Sequence, residues 1–175
     1  MAKLLLVIDM QNDFIDGALG TKEAKAIVPR VADKVRKALA DGKEVWFTQD
    51  THSAGYLDTQ EGKQLPVPHC LEGTHGWEIC DVLQPYFLQG QCVKKETFGA
   101  AALADKLRQR QDIAGIELCG LCTDICVISN ALLLKAFLPE VTIAVDAGCC
   151  AGVTPESHQT ALSAMKACQI QVIGG

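Results

Sequence analysis

The chain is 175 residues long, 49% hydrophobic, and carries a formal net charge of −5 with a sequence pI near 5.3. That length and composition suit one domain, residues 1–175, with a substantial core, and the acidic balance excludes the basic surface that nucleic-acid binding requires. No apolar run reaches membrane-spanning length, and the run ending at Ile8 is broken at once by Asp9, so the amino terminus reads as a strand rather than a signal peptide or anchor and the expected location is the cytoplasm.

In chain order, Leu4–Ile8 is a near-continuous apolar run, the pattern of a strand buried on both faces. Met10–Gly17 is polar with an embedded aromatic and reads as a loop over the sheet's carboxyl edge. From Glu23 to Ala40, Ile27, Val31, Val35 and Leu39 recur at helical spacing, with Pro29 expected near the first turn and Asp41-Gly42 as the stop. Val45–Thr48 is a second strand, followed by Gln49-Asp50-Thr51-His52. Between Ser53 and Gly90 periodicity fades and turn residues accumulate, as in a long functional loop, with a short helix expected within Glu78–Leu88. Cys92–Lys94 is a brief third strand ending at Lys95, and Ala101–Arg110 is a helix. Ile116–Cys119 is a buried fourth strand behind Gly115, and Ile125–Phe137 is a long apolar helix stopped by Pro139. Val141–Val145, Pro155–Ala167 and Gln169–Ile173 complete the alternation as strand, helix and strand.

Strands alternating with helices imply right-handed crossovers and a parallel sheet covered on both faces. The expected fold class is therefore α/β, a three-layer doubly wound domain whose six parallel strands take the order 3-2-1-4-5-6. In that order the first and fourth strands are neighbours at the switch point, where ligands bind beyond the strands' carboxyl ends. Asp9 ends the first strand, Asp50 and His52 follow the second, Lys95 the third and Cys126 the fourth. No G-x-G-x-x-G follows the first strand, so dinucleotide binding is not expected.

The nine cysteines are expected as reduced thiols, because a chain with this core needs no disulfide staples. Cys119 and Cys122 form a C-x-x-C, but Cys119 falls inside a strand and no second pair completes a structural zinc site. Cys126 differs from the rest: with Thr123 or Asp124 as helix N-cap, it sits in a first turn whose macrodipole and unpaired N–H groups favour thiolate. A carboxylate, a lysine and a thiol at one crevice can perform acyl transfer through a thioester, with backbone N–H groups holding the oxyanion. Asp50-x-His52 and the later His69 supply ligand types suited to zinc or a similar divalent ion.

Three segments carry a resemblance. Gly120-Leu121-Cys122-Thr123-Asp124-Ile125-Cys126-Val127 resembles the nucleophile segment of the isochorismatase-like cysteine hydrolases, Ile8–Phe14 resembles their first motif, and Lys95-Glu96-Thr97-Phe98 their Lys-x-x-aromatic motif. The resemblance implies a catalytic triad of Asp9, Lys95 and Cys126, a cis peptide bond at Leu121–Cys122, and an oxyanion hole from the backbone N–H groups of Cys122 and Cys126. Lys94 competes with Lys95, but Phe98 keeps register only with the latter, and neighbours on a strand face opposite ways. Similarity to the nicotinamidases of that superfamily implies a metal held by Asp50, His52 and His69 with Glu61 at the fourth-ligand position, zinc first and iron or manganese as alternatives. It also implies a small amide substrate, with Phe14 and Leu121 lining its pocket. Leu65-Pro66-Val67-Pro68 departs from the pattern, standing where nicotinamidases commonly carry an aromatic. The expected activity is a cysteine amidohydrolase converting nicotinamide to nicotinic acid and ammonia. The alternatives are a relative acting on another small amide, carbamoyl or ureido compound, or a noncatalytic thiol- or metal-binding protein. The family often forms oligomers, so a homo-oligomer is compatible with the chain. His75 and His158 match no ligand position.

Overall fold

A computed structural model describes residues 1–88 and 90–175. Six strands form one parallel sheet in the order β3-β2-β1-β4-β5-β6, as the alternation of elements requires. They are β1 (Ala2–Ile8), β2 (Glu44–Asp50), β3 (Gln91–Lys95), β4 (Ile113–Leu121), β5 (Thr142–Ala151) and β6 (Gln171–Ile173). Leu4 to Ile8 of the central β1 are all buried, because a strand with sheet neighbours on both edges and helices over both faces has no solvent side.

Helix Lys22–Ala40 starts at Thr21, whose hydroxyl accepts from the Ala24 N–H. Its buried stripe, Ala24, Ile27, Val31, Val35 and Ala38, has 3- and 4-residue spacing and packs against β1, β2, β4 and β5. Pro29 lies inside this helix rather than in its first turn. The helix begins earlier than the apolar periodicity implies, because the Thr21 cap recruits the polar turn that follows it. Helices Ala101–Arg108, Ile128–Phe137 and Pro155–Ala167 pack one against the next. Right-handed crossovers place them on the face opposite Lys22–Ala40, because the chain crosses the sheet centre after β3 and then moves outward the other way.

Two close approaches set the crevice. Gly120 pairs with Ile8 at φ +117°, and a Cβ there would meet Ile8 O at 2.1 Å, so only glycine permits β4 to close on β1. Asp50 pairs with Lys95 across β2 and β3, which puts a carboxylate and an ammonium side by side at the sheet's carboxyl edge. The long connection after β2 holds short helical turns at Tyr56–Asp58, Gln60–Gln64, His75–Trp77 and Gln84–Phe87, the last within the expected Glu78–Leu88. The Met10–Gly17 loop also contains a turn of helix, Asn12–Ile15.

Candidate active site and metal-ligand cluster

Asp9 follows the last residue of β1 at φ +46°, a left-handed conformation that costs a non-glycine residue and is found at functional turns. Its carboxylate is fully buried. Oδ1 accepts the Thr48 hydroxyl at 2.6 Å, and the Asp9 N–H donates to Thr48 Oγ1 at 3.2 Å. Oδ2 lies 2.7 Å from Lys95 Nζ but makes no directed hydrogen bond among the described residues. Lys95 Nζ also reaches Cys126 Sγ at 3.4 Å and Asp50 Oδ1 at 3.2 Å. One ammonium thus touches an acid, a thiol and a second acid. Lys94 faces outward, bonded to Glu72 at 2.6 Å and lying over Trp77.

The electrostatics define the resting state. Burial raises the Asp9 carboxyl above its ordinary range against the pull of Lys95. Burial also pushes the Cys126 thiol well up, reinforced by Asp9 and opposed by Lys95. A helix start favours thiolate, but at Cys126 desolvation outweighs it because the sulfur is nearly sealed from water. Burial acts to lower Lys95, but Asp9, Cys126 and Asp50 more than offset it and keep the ammonium charged.

The peptide bond Leu121–Cys122 is cis, and the chain then makes a wide π turn, Thr123–Val127, before helix Ile128–Phe137. In an α-helix the Cys126 N–H would donate to Cys122 O. Here that carbonyl takes Ile125 N–H at 3.1 Å and Val127 N–H at 3.0 Å, passing over the Cys126 amide. Neither Thr123 nor Asp124 caps its own helix, contrary to expectation. Thr123 Oγ1 bonds His158 Nδ1 at 2.7 Å, and Asp124 accepts from Val153 N–H at 3.1 Å. The two side chains therefore brace the turn, Thr123 against helix Pro155–Ala167 and Asp124 against the segment leading into it.

Asp50, His52 and His69 bring ligand atoms within 4.8 Å of one another and are all buried. His52 Nε2 is 3.0 Å and His69 Nε2 3.6 Å from Asp50 Oδ2. Glu61 Oε1 is 3.7 Å from both imidazole nitrogens. His69 Nδ1 lies 2.9 Å from Val67 O, so donation of its proton there leaves Nε2 as a lone-pair donor facing Asp50. Gln11 donates to Asp50 O and accepts from Asp50 N–H, both at 2.8 Å. Burial acts to raise Asp50, but His52, His69 and Lys95 together hold it well below the ordinary carboxylate range. Two imidazoles and the Asp50 carboxylate gathered within 4.8 Å, with Glu61 beside the imidazoles and a backbone carbonyl orienting one ring, fit a zinc-like divalent ion.

A cavity of about 700 Å³ covers the site, with Cys126, Cys122, Asp50, His52, His69, Glu61 and Phe14 on its wall. Leu121, expected there, is instead buried in the core at the end of β4. Cys122 and Ile125 complete that wall. Sequence reasoning missed Tyr56, whose ring stands 4.7 Å from His52 and 5.0 Å from His69 on the same wall. An aromatic shortly after Asp50-x-His52 was the available signal. It also missed Thr48 and Asn130. Asn130 donates to Cys126 O at 2.8 Å and Phe98 O at 3.1 Å and accepts from Ala100 N–H at 2.9 Å. A lone asparagine in an apolar helix marks such a buried polar clamp. His75 is exposed beside Glu78.

The chain matches the isochorismatase domain over residues 3–175. A pyrazinamidase/nicotinamidase from Streptococcus mutans is 29% identical, with a TM-score of 0.88 over 98% of this chain and 100% of that one. The pyrazinamidase of Pyrococcus horikoshii, solved in complex with zinc, is 27% identical, with a TM-score of 0.85 over 100% of both chains. A probable inactive nicotinamidase from Arabidopsis thaliana is 30% identical over 174 residues, 93% of this chain and 87% of its own length.

Proposed function

The chain belongs to the isochorismatase family, and from that premise we propose that it is a metal-containing cysteine amidohydrolase that converts nicotinamide to nicotinic acid and ammonia. The observation that carries this reading is the contact of one buried ammonium, Lys95, with both Asp9 Oδ2 and Cys126 Sγ beneath a cavity walled by Asp50, His52 and His69. Relatives named as nicotinamidases or pyrazinamidases support the substrate class.

The undirected Oδ2 of Asp9 is the acceptor for the thiol proton. Burial raises both groups, and the Lys95 ammonium 2.7 Å from Asp9 Oδ2 favours the carboxylate that must accept the proton. As the sulfur attacks the amide carbon, its proton passes to Asp9 and Lys95 holds the anionic partner. The carbonyl oxygen gains charge within reach of the Cys126 amide that the π turn leaves out of the helix ladder, with the Cys122 N–H as second donor. Asp9 then returns the proton to nitrogen, the C–N bond breaks, and ammonia leaves a thioester. Water, giving its proton to Asp9, cleaves the thioester to the acid and restores the thiol.

Asp50, His52 and His69, with Glu61 beside them, would hold the divalent ion. When bound, it supplies a Lewis acid that can fix a ring nitrogen or carbonyl oxygen of the substrate. Phe14 and Tyr56 offer apolar surface to the ring.

Ammonia release from nicotinamide by purified protein, with zinc, iron or manganese added in turn, tests the reading. Turnover is expected with at least one metal. Cys126→Ala should lose it by roughly 10⁴-fold or more while keeping fold and metal content, and retained hydrolysis in that variant overturns the nucleophile assignment. The Leu65–Pro68 departure from the nicotinamidase pattern favours a second reading, hydrolysis of another small amide, carbamoyl or ureido compound, which a panel of such substrates separates.

A further inference from the structure

The cavity's size and charge say more about the substrate than the chemistry does. About 700 Å³ lies within the roughly 300–1,000 Å³ of sites that enclose drug-sized ligands, and one aromatic ring with its carboxamide fills only part of it. The inner end holds the thiol, the metal-ligand cluster, Phe14 and Tyr56. Beyond them the wall continues over Leu65, Phe98 and Ile125. Leu65 is 38% and Phe98 46% exposed, so this outer stretch presents apolar surface that the folded chain leaves wet. Such surface gains most when a ligand covers it.

Apart from the ion that the metal-ligand cluster would hold, the formal charges on the wall are negative. Its carboxylates are Asp50, Glu61 and Glu96, and no lysine or arginine lines it among the described residues. Asp50 is paired with Lys95 and the imidazoles, and Glu61 faces the same imidazoles. Glu96, next to the Thr97-Phe98 stretch of the outer wall, is exposed and enters no ion pair among the described residues. An acyl group ending in a carboxylate would meet repulsion there and find no counter-ion.

Resting on the amidase reading above, we propose that the site also takes, and prefers to nicotinamide itself, primary amides whose acyl part extends beyond one ring, apolar through its middle and carrying a basic nitrogen at the end remote from the amide, where it meets Glu96. The test uses nicotinamide and three ring-substituted nicotinamides whose side chains of equal length end in methyl, amino or carboxylate. Hydrolysis by the metal-loaded enzyme is measured beside equilibrium binding to metal-loaded Cys126→Ala protein by calorimetry. The amine-tailed amide should exceed nicotinamide at least tenfold in kcat/KM and in affinity, with the methyl-tailed amide between them and the carboxylate-tailed amide last. Glu96→Gln should shrink the advantage of the amine tail over the methyl tail three- to tenfold.

Turnover of nicotinamide with rejection of every tail overturns this inference and leaves the amidase reading standing. The expected order of binding without turnover of any amide overturns the amidase reading and keeps the ligand preference. Neither binding nor turnover sinks both. Equal effects of Glu96→Gln on both tails remove Glu96 from the assignment.

Discussion

Two lysines in this fold are each held between two carboxylates, and they do different work. Lys34, on helix Lys22–Ala40, lies 2.5 Å from Glu117 and 2.5 Å from Asp146, with Lys43 adding a second cation to Glu117 at 3.2 Å. Lys95 lies between Asp9 and Asp50. Around Lys34, acids and bases answer one another and the side chains keep part of their hydration, at 18% exposed for Lys34 against 2% for Lys95. Around Lys95 a thiol completes the contacts, one oxygen of Asp9 has the ion pair but no directed hydrogen bond among the described residues, and a cavity opens beside the group. A buried ion pair is by itself weak evidence of function; an incompletely satisfied one beside a thiol and a cavity is stronger evidence.

Methionine at each lysine breaks the comparison most directly. Lys95→Met should lower kcat/KM by roughly 10³-fold or more and cost about 3–5 kcal/mol, because Asp9 and Asp50 are left buried without a cation. Lys34→Met should cost about 1–3 kcal/mol after screening by solvent and leave kcat/KM within about twofold. Urea unfolding beside ammonia release reads both quantities, and loss of turnover in a folded Lys34→Met protein would erase the distinction.

Metal removal acts on one region only. Exhaustive chelation should cut turnover at least tenfold and lower the melting midpoint by several degrees, since an ion held only by the folded state at about a hundredfold over its Kd contributes roughly 2.7 kcal/mol. Added zinc should restore both. An unchanged rate in metal-free protein would remove the ion from the reaction.

Asn130→Ala sharpens the comparison within the catalytic half. It breaks three hydrogen bonds that tie the nucleophile turn to the loop after Lys95, so a cost of about 1–3 kcal/mol and a kcat/KM loss near tenfold are expected. A loss of stability with no change in rate would make the clamp purely structural.

The smallest effect belongs to the surface. Hydrogen bonds from Arg110, at 2.7 and 2.8 Å, hold Glu44 below the ordinary glutamate range. A lowered carboxyl stabilises the fold above its unfolded pKa, near 4.3, and that contribution disappears as pH falls through the lower folded value. Glu44→Gln should therefore cost at most about 1 kcal/mol at pH 7, and the difference from the parent should be smaller at about pH 3, below the unfolded pKa, than at pH 7. Urea midpoints at the two pH values check the sign.

Much of the fold was legible because parallel strands buried on both faces read as continuous apolar runs, as at Leu4–Ile8 and Ile143–Val145. The strand ends also announced Asp9, Asp50, His52, Lys95 and Cys126. The wide turn at Thr123–Val127 was not legible, since nothing in its composition separates a π turn from an α-helical start. Nor was the use of Thr123 and Asp124, because both have cap chemistry and only the neighbouring helix decides which N–H or imidazole they meet. Leu121 was misplaced for the same reason: a residue beside a turn can face core or cavity until the turn's geometry is fixed.

The sequence by itself determined the alternation of elements, the strand order that follows from it, and the residue types gathered at the carboxyl edge. Those depend on local periodicity and on handedness, which every stretch of chain carries with it. Only the tertiary structure decided that Lys95 touches acid and thiol together, that burial pushes the Cys126 thiol up, and that the hollow above extends from the Cys126 sulfur to Glu96. Distances, desolvation and cavity shape arise from groups far apart in the chain, so they exist only once those groups have been brought together.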